Sequence, residues 1–153
     1  WVPNSARFFQ GENKLPDLFV AHYGDGGLAA ALLSERTGIP FTFTAHSLGA
    51  QKMDKLKVSR DNLAAMQRRF HFAQRLWAER LAMNRSLVNI TSTRQERFEQ
   101  YGHMAYRDAV DCHDDQRFAV IPPGVALEIF DRSIRLPGED ATRAHIRAML
   151  ERD

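Results

Sequence analysis

Several features are scarce in this 153-residue sequence, and each scarcity removes a class of protein. The single cysteine, Cys112, excludes an internal disulfide and a multi-cysteine metal site, and it fits a reducing cytoplasm. No apolar run approaches 18 residues and no signal peptide is visible, so we expect no membrane partner. The net charge of only +2 argues against nucleic acid as a partner. Any anion must therefore be bound by a local cluster of residues.

The composition is that of an ordinary globular domain. Hydrophobic residues make up 44% of the chain and charged residues 26%, and the length is enough for one domain with a real core. The sequence begins with Trp1 rather than Met, and it stops at "MLERD" without a feature that marks the end of a chain. We expect it to be a fragment of a longer protein.

Apolar, β-branched runs alternate with helical patterns along the chain. The predicted strands cover residues 18–22, 39–46, 87–93 and 117–125, and the predicted helices cover residues 28–38, 61–85, 94–102 and 138–153. Residues 104–116 are predicted to form an irregular loop. This alternation predicts the α/β class, with a Rossmann-like parallel sheet and helices on both faces.

The longest predicted helix spans residues 61–85 and carries two apolar rows at helical spacing. The first row is Leu63, Met66, Phe70, Ala73, Trp77 and Leu81, and the second is Ala65, Phe72, Leu76 and Met83. Both rows are predicted to be core. Arg68, Arg75 and Glu79 lie at the edge of this apolar arc, from which a side chain can reach a cleft.

Polar segments follow each predicted strand: "HYGDGG", "AHSLGAQK", "TSTRQE" and "IPPGV". Ligands of open parallel sheets bind beyond the carboxyl ends of the strands, so these segments predict a site there. Asp25, Gly26 and Gly27 begin a helix and could bind an anion through free N–H groups, or Asp25 could simply cap a turn. The G-x-G-x-x-G spacing of a dinucleotide fingerprint is absent.

The segment "FTFTAHSLGAQKMDKLK" ends a strand in His46 and Ser47 and continues with three lysines. His46 is either an active-site histidine or a satisfied polar residue, and the nearby Ser47 and Lys52 favour function. A hydrolase built on His46 and Ser47 lacks a sequence-adjacent acid and the G-x-S-x-G elbow. Each lysine alone is typical of a surface, but as a set they predict at least one phosphate ligand, to which Arg75 could add a forked contact.

The remaining histidines carry weaker signals. His22 is a weaker version of His46, and a core or supporting role is as open for it as an active-site role. His71 is predicted to face the polar side of its helix without a function. His103, His113 and His145 are predicted to be surface residues. "DCHDD", residues 111–115, resembles a metal ligand set but is better read as a loop, so no metal site is predicted.

The segments "HYGDGG", "FTFTAHSLGAQKMDKL", "RLWAERLAMNRSLVNITSTRQERFEQY" and "FAVIPPGV" together resemble the sucrose-phosphate synthases, a family of retaining glycosyltransferases. The resemblance runs from about residue 16 to residue 131. It implies the amino-terminal, acceptor-binding half of a GT-B enzyme, covering residues 1–131. Residues 132–153 would then be a helix leading to the interdomain hinge, and the donor domain would lie outside this sequence.

The resemblance also implies an activity and residue roles. The family transfers glucose from UDP-glucose to fructose 6-phosphate with retention, without a cofactor, and the donor is bound mainly by the other domain. His46 matches the active-site histidine that contacts the donor sugar. Lys52 and Arg75 match ligands of the acceptor phosphate, and Ser47 and Tyr23 match residues that face the acceptor.

Two other readings of the resemblance remain open. The donor could be GDP-mannose, as in a mannosylfructose-phosphate synthase, because donor choice lies in the other domain. The chain could instead be a non-catalytic sugar-phosphate-binding module. On the first interpretation, this piece alone is predicted to be inactive because half of the cleft is missing.

Overall fold

The computed structural model describes residues 2–12, 15–126 and 138–151. The elements in chain order are α1 (Val2–Gly11), β1 (Phe19–His22), α2 (Tyr23–Thr37), β2 (Phe41–Thr44), α3 (Gly49–Lys55), α4 (Leu63–Phe70), α5 (Phe72–Arg85), β3 (Val88–Thr91), a π-helix (Glu96–Tyr101), a 3₁₀-helix (Met104–Tyr106), β4 (Phe118–Val120) and α6 (Glu139–Leu150). Within these ranges, no helix has the length and apolar character that crossing a membrane requires.

The four strands form one parallel sheet in the order β1-β2-β3-β4. Phe43 of β2 pairs with Ala21 of β1 on one side and with Asn89 of β3 on the other, and Asn89 pairs in turn with Phe118 of β4. All the carboxyl ends therefore lie along one edge of the sheet. The predicted α/β class and parallel sheet are confirmed.

The core lies on the sheet face that carries Phe41 and Phe43, both fully buried. Small residues of α2 allow the helix to approach this face closely: a Cβ at Gly27 would lie 2.6 Å from the Phe43 ring and 2.6 Å from Ala82 of α5. On the other face, Val20 is 61% exposed. The helix predicted to end at Gly38 does so, although it begins at Tyr23, five residues earlier than predicted.

The predicted continuous helix over residues 61–85 is wrong, because His71 interrupts it. This residue has a left-handed backbone (φ 51°), so α4 ends at Phe70 and α5 begins at Phe72. The break is stabilised by Gln67, whose side-chain oxygen accepts a hydrogen bond from the backbone N–H of Ala73.

The first predicted apolar row does not form a buried stripe. Trp77 is 59% exposed and Leu63 is 46% exposed. The second row is partly correct, since Phe72 and Met83 are buried while Ala65 is exposed. The buried residues of α5 also include Glu79, which no apolar pattern predicts.

The chain divides into two compact units, Trp1–Pro122 and Pro123–Asp153. The first contains the sheet. In the second, α6 follows Gly138, and the described side chains of that helix are exposed. The predicted domain boundary at residue 131 lies outside the described residues, so the division into residues 1–131 and 132–153 stays a prediction.

Candidate functional site

Three rings meet where β1 and β2 end. The His46 ring lies 4.8 Å from that of Tyr23 and 5.0 Å from that of His22, measured between centroids. His22 Nδ1 and His46 Nε2 are 2.8 Å apart, so one donates a hydrogen bond and the other accepts it. Both Tyr23 (φ 61°) and His46 (φ 57°) have left-handed backbones. Non-glycine residues hold this conformation at a cost, and they concentrate at functional sites.

Arg75 of α5 reaches the residue that follows His46. Its Nη2 donates to the Ser47 carbonyl oxygen at 3.0 Å, and its Nε donates to Glu79 Oε1 at 2.8 Å. The Arg75 side chain is 30% exposed. Among the described residues, its third nitrogen, Nη1, has no hydrogen-bond partner. Two donors thus hold the guanidinium in place while one remains available.

Buried groups fix the loop after β2 from beneath. The backbone N–H of Ala45 donates to the Tyr101 hydroxyl at 3.2 Å, and that of Ala50 donates to the Tyr106 hydroxyl at 3.0 Å. Both tyrosines are fully buried. Burial raises the pKa of Tyr101 and Tyr106 well above the usual tyrosine value, with the charge of nearby Glu79 a smaller cause for both. The hydroxyls therefore stay protonated at any physiological pH.

A pocket of about 470 Å³ opens between α2 and the α4–α5 break. It is lined by Tyr23, Gly24, Asp25, Leu28, Phe70, His71, Gln74, Arg75 and Ala78. The volume suits a small-molecule ligand, and polar groups of both charges face it. The lining offers a ligand two charged groups, Arg75 and Asp25, and the hydroxyl of Tyr23.

Lys52 of α3 stands close to the same pocket. Its Nζ lies 4.5 Å from the centroid of the Phe70 ring, which is part of the pocket wall. Lys52 is half-buried, whereas Lys55 and Lys57 are exposed, as predicted for surface residues. Lys52 is thus the lysine of this segment that the structure puts next to the pocket.

The structure brings Tyr23, His46, Ser47 and Arg75 into one group, and Phe70 connects Lys52 to the pocket that Arg75 lines. Their individual roles remain predictions. The prediction that Asp25 could cap the helix is wrong, because α2 begins at Tyr23 and Asp25 is its third residue.

His71 was missed, since it lines the pocket instead of belonging to an uninterrupted polar helix face. Histidine is enriched among non-glycine residues with a left-handed backbone, but this preference alone does not mark the one in "RRFHFA" as a helix break. Within the described ranges, no cluster of three or more potential metal ligands occurs.

A parallel sheet with a pocket beyond its strand ends defines the chain as a Rossmann-like α/β domain. A model of the family described as "Sucrose synthase first GT-B domain" matches residues 4–140. The chain belongs to this family, which confirms the GT-B assignment.

Curated relatives support the resemblance to sucrose-phosphate synthases. The chain is 47% identical to a probable sucrose-phosphate synthase of Thermosipho melanesiensis over 85% of its length, and 38% identical to the sucrose-phosphate synthase of Spinacia oleracea over 81%. With the enzyme of Zea mays it shares 36% identity over 75%. The chain spans only 29%, 14% and 12% of these three relatives.

Proposed function

We propose that the chain is the acceptor-binding half of a retaining hexosyltransferase that makes sucrose 6-phosphate from UDP-glucose and fructose 6-phosphate. The relatives' names support the reaction, and their greater length supports a second, donor-binding domain. Because that domain would supply half of the cleft, the 153-residue chain is proposed to be inactive alone. The alternative donor GDP-mannose becomes one arm of the assay below.

One observation carries the acceptor part of the proposal: the fixed orientation of Arg75 at the pocket. Its Nε and Nη2 are held by Glu79 and the Ser47 carbonyl, so Nη1 is available to a ligand without further ordering of the side chain. A guanidinium fixed in this way binds a phosphate oxygen at a low entropic cost. Lys52 would supply a second positive charge from α3, and each charged hydrogen bond contributes about 1.5–3 kcal/mol.

The pocket would hold the rest of the acceptor through hydroxyl contacts. Tyr23 lines the pocket and its ring also contacts that of His46 at a tilt, so a sugar bound there would lie near the imidazole. Ser47 is exposed, and its hydroxyl lies 3.5 Å from Arg75 Nη2, so it could add a hydrogen bond to the same phosphate. These contacts orient the acceptor hydroxyl toward the donor.

In the proposed reaction, the acceptor hydroxyl oxygen bonds to the anomeric carbon as the bond from that carbon to the UDP oxygen breaks. Attack from the face that UDP vacates retains the configuration, and the hydroxyl proton passes to the leaving diphosphate. His46 contacts the donor glucose near this centre. The contribution of this chain is positioning and electrostatic stabilisation rather than nucleophilic attack.

The test compares Lys52→Ala with Lys55→Ala in the full-length enzyme, using fructose 6-phosphate and fructose as acceptors. We expect Lys52→Ala to lower the preference for the phosphorylated sugar about 10- to 100-fold, which corresponds to one charged hydrogen bond. Lys55→Ala should leave the preference unchanged. An unchanged preference in Lys52→Ala would refute the phosphate assignment, and assays with UDP-glucose and GDP-mannose identify the donor.

A further inference from the structure

We propose that Glu79 is a positioning residue that fixes the two proposed phosphate-binding cations relative to each other. It would hold Arg75 directly and Lys52 through the start of α3. This inference rests on the proposed acceptor site, in which Arg75 and Lys52 bind one phosphate. It assigns a function to the one fully buried carboxylate among the described residues.

The Glu79 carboxylate receives hydrogen bonds from three parts of the chain. Oε1 accepts from Arg75 Nε at 2.8 Å, and Oε2 accepts from the Tyr106 hydroxyl at 2.6 Å. The backbone N–H of Gly49, the first residue of α3, is 3.0 Å from both oxygens. A buried charge with this many donors is stable in one orientation, which makes it a rigid reference point for its partners.

The contact with Gly49 extends this control to Lys52. The two residues are three positions apart in α3, a helix of only seven residues, and the Lys52 N–H is bonded to the carbonyl of Leu48, which directly precedes the helix. A shift of the Gly49 N–H therefore moves the whole helix and the ammonium group with it. Since Arg75 is attached to the same carboxylate, the relative position of the two cations depends on Glu79.

Glutamine cannot reproduce this arrangement, although it has the same shape. The three partners all donate hydrogen bonds, and both carboxylate oxygens accept. A glutamine side chain has one accepting oxygen, so its NH₂ group would face the N–H or O–H of at least one partner. Arg75 and α3 would then have to move, or the Tyr106 hydroxyl would accept from the NH₂ group and its own proton would lose its acceptor.

The experiment measures affinity for inorganic phosphate and the kcat/KM preference for fructose 6-phosphate over fructose in the full-length enzyme. We expect Glu79→Gln to lower both quantities about tenfold, as for loss of one charge-assisted hydrogen bond, while KM for unphosphorylated fructose stays within about twofold of wild type. The matched control is Asn89→Ala, which removes another fully buried polar side chain, one bonded only to the carbonyls of Met83 and Arg117.

A merely structural role predicts a different result. In that case Glu79→Gln and Asn89→Ala would both lower the free energy of unfolding and leave the phosphate preference unchanged, and the inference would be wrong. If wild type itself does not distinguish fructose 6-phosphate from fructose, the proposed function fails, and this inference fails with it. A preference lost only in Glu79→Gln supports both.

A steric variant tests the same idea without removing any hydrogen-bonding group, in case Glu79→Gln does not fold. A Cβ at Gly49 would lie 3.1 Å from Arg75 Cδ and 3.1 Å from Glu79 Oε2, so Gly49→Ala displaces the pair by a few tenths of an ångström. We expect a severalfold loss of the phosphate preference. A wild-type preference in a folded Gly49→Ala enzyme would contradict the inference.

Discussion

The pocket rim and the buried groups beneath it are built in opposite ways. The rim consists of Tyr23 and His71, which line the pocket, and His46, whose ring contacts Tyr23; all three are exposed and have left-handed backbones. The support consists of Glu79 and two tyrosines, Tyr101 and Tyr106, all fully buried and without positive φ. The difference indicates that strain and exposure are tolerated at the rim because the support fixes the ends of the loop that carries His46.

The strained residues are concentrated rather than scattered. Four described non-glycine residues have positive φ. Tyr23 and His71 line the pocket and His46 contacts Tyr23, whereas Lys57 does not line the pocket. A left-handed backbone costs a non-glycine residue roughly 1–2 kcal/mol. Lys57 therefore serves as a built-in control, since it has the same strain without the proposed function.

The largest expected effect is that of His46→Ala on the rim. Loss of a group that stabilises the reacting centre typically lowers kcat by about 100-fold or more, and we expect that here. His103→Ala, which changes a half-buried histidine paired with Asp54, should leave turnover within about twofold. Steady-state assays of the full-length enzyme measure kcat for both variants. Equal losses of kcat would contradict a special role for the rim.

Gly27→Ala tests the packing of the core and changes no residue of the rim. The new Cβ would lie 2.6 Å from both Phe43 and Ala82, so we expect a loss of about 1–3 kcal/mol in the free energy of unfolding from overpacking. Gly26→Ala is the matched control, because nothing lies within 4 Å of its Cβ; it should stabilise α2 by up to about 1 kcal/mol. Urea unfolding distinguishes the two, and similar values would argue against the close packing.

The buried tyrosines predict a loss of stability at alkaline pH. The pKa of Tyr101 is raised by burial, so above pH of about 10 the unfolded state releases a proton that the folded state keeps. Stability then falls with rising pH by about 1.4 kcal/mol per unit for each such group. Between pH 9 and 11, the free energy of unfolding should fall less steeply with pH for Tyr101→Phe than for wild type. Equal slopes for the two proteins would contradict this prediction.

The smallest effect compares strain at the rim with strain elsewhere. Lys57→Gly and His71→Gly both relieve a left-handed backbone, and after the entropic cost of glycine we expect each to gain about 0.5–1 kcal/mol of stability. Only His71→Gly should raise KM for the acceptor, because His71 lines the pocket. Thermal unfolding and acceptor titration test this, and a KM change in Lys57→Gly would show that strain itself matters.

Much of the fold was predictable because it depends on short-range patterns. The aromatic and β-branched run Phe41–Thr44 predicted β2, and Gly38 marked the end of α2. The same approach failed at His71, where the apolar spacing continues through the helix break. A periodic pattern describes side chains on a continuous helix, and it cannot detect a single residue that leaves the helical backbone.

The candidate site was predictable only in part, for a related reason. His46 ends a predicted strand and Lys52 follows it, so their position near the sheet edge could be inferred from sequence alone. The contacts of Glu79 with Gly49 and Tyr106 join residues 30 and 27 positions apart, and no local pattern encodes them. The edge-of-helix position of Glu79 suggested a cleft, yet the side chain is fully buried.

The sequence by itself determined the strands, the parallel α/β class and the polar segments at the strand ends, because hydrophobic periodicity and turn chemistry act over a few residues. Only the tertiary structure decided that His71 breaks a helix, that Tyr101 and Tyr106 hold the loop after β2, and that Arg75 is oriented by a buried Glu79. These features depend on hydrogen bonds between segments that are distant in sequence and that the folded sheet brings together.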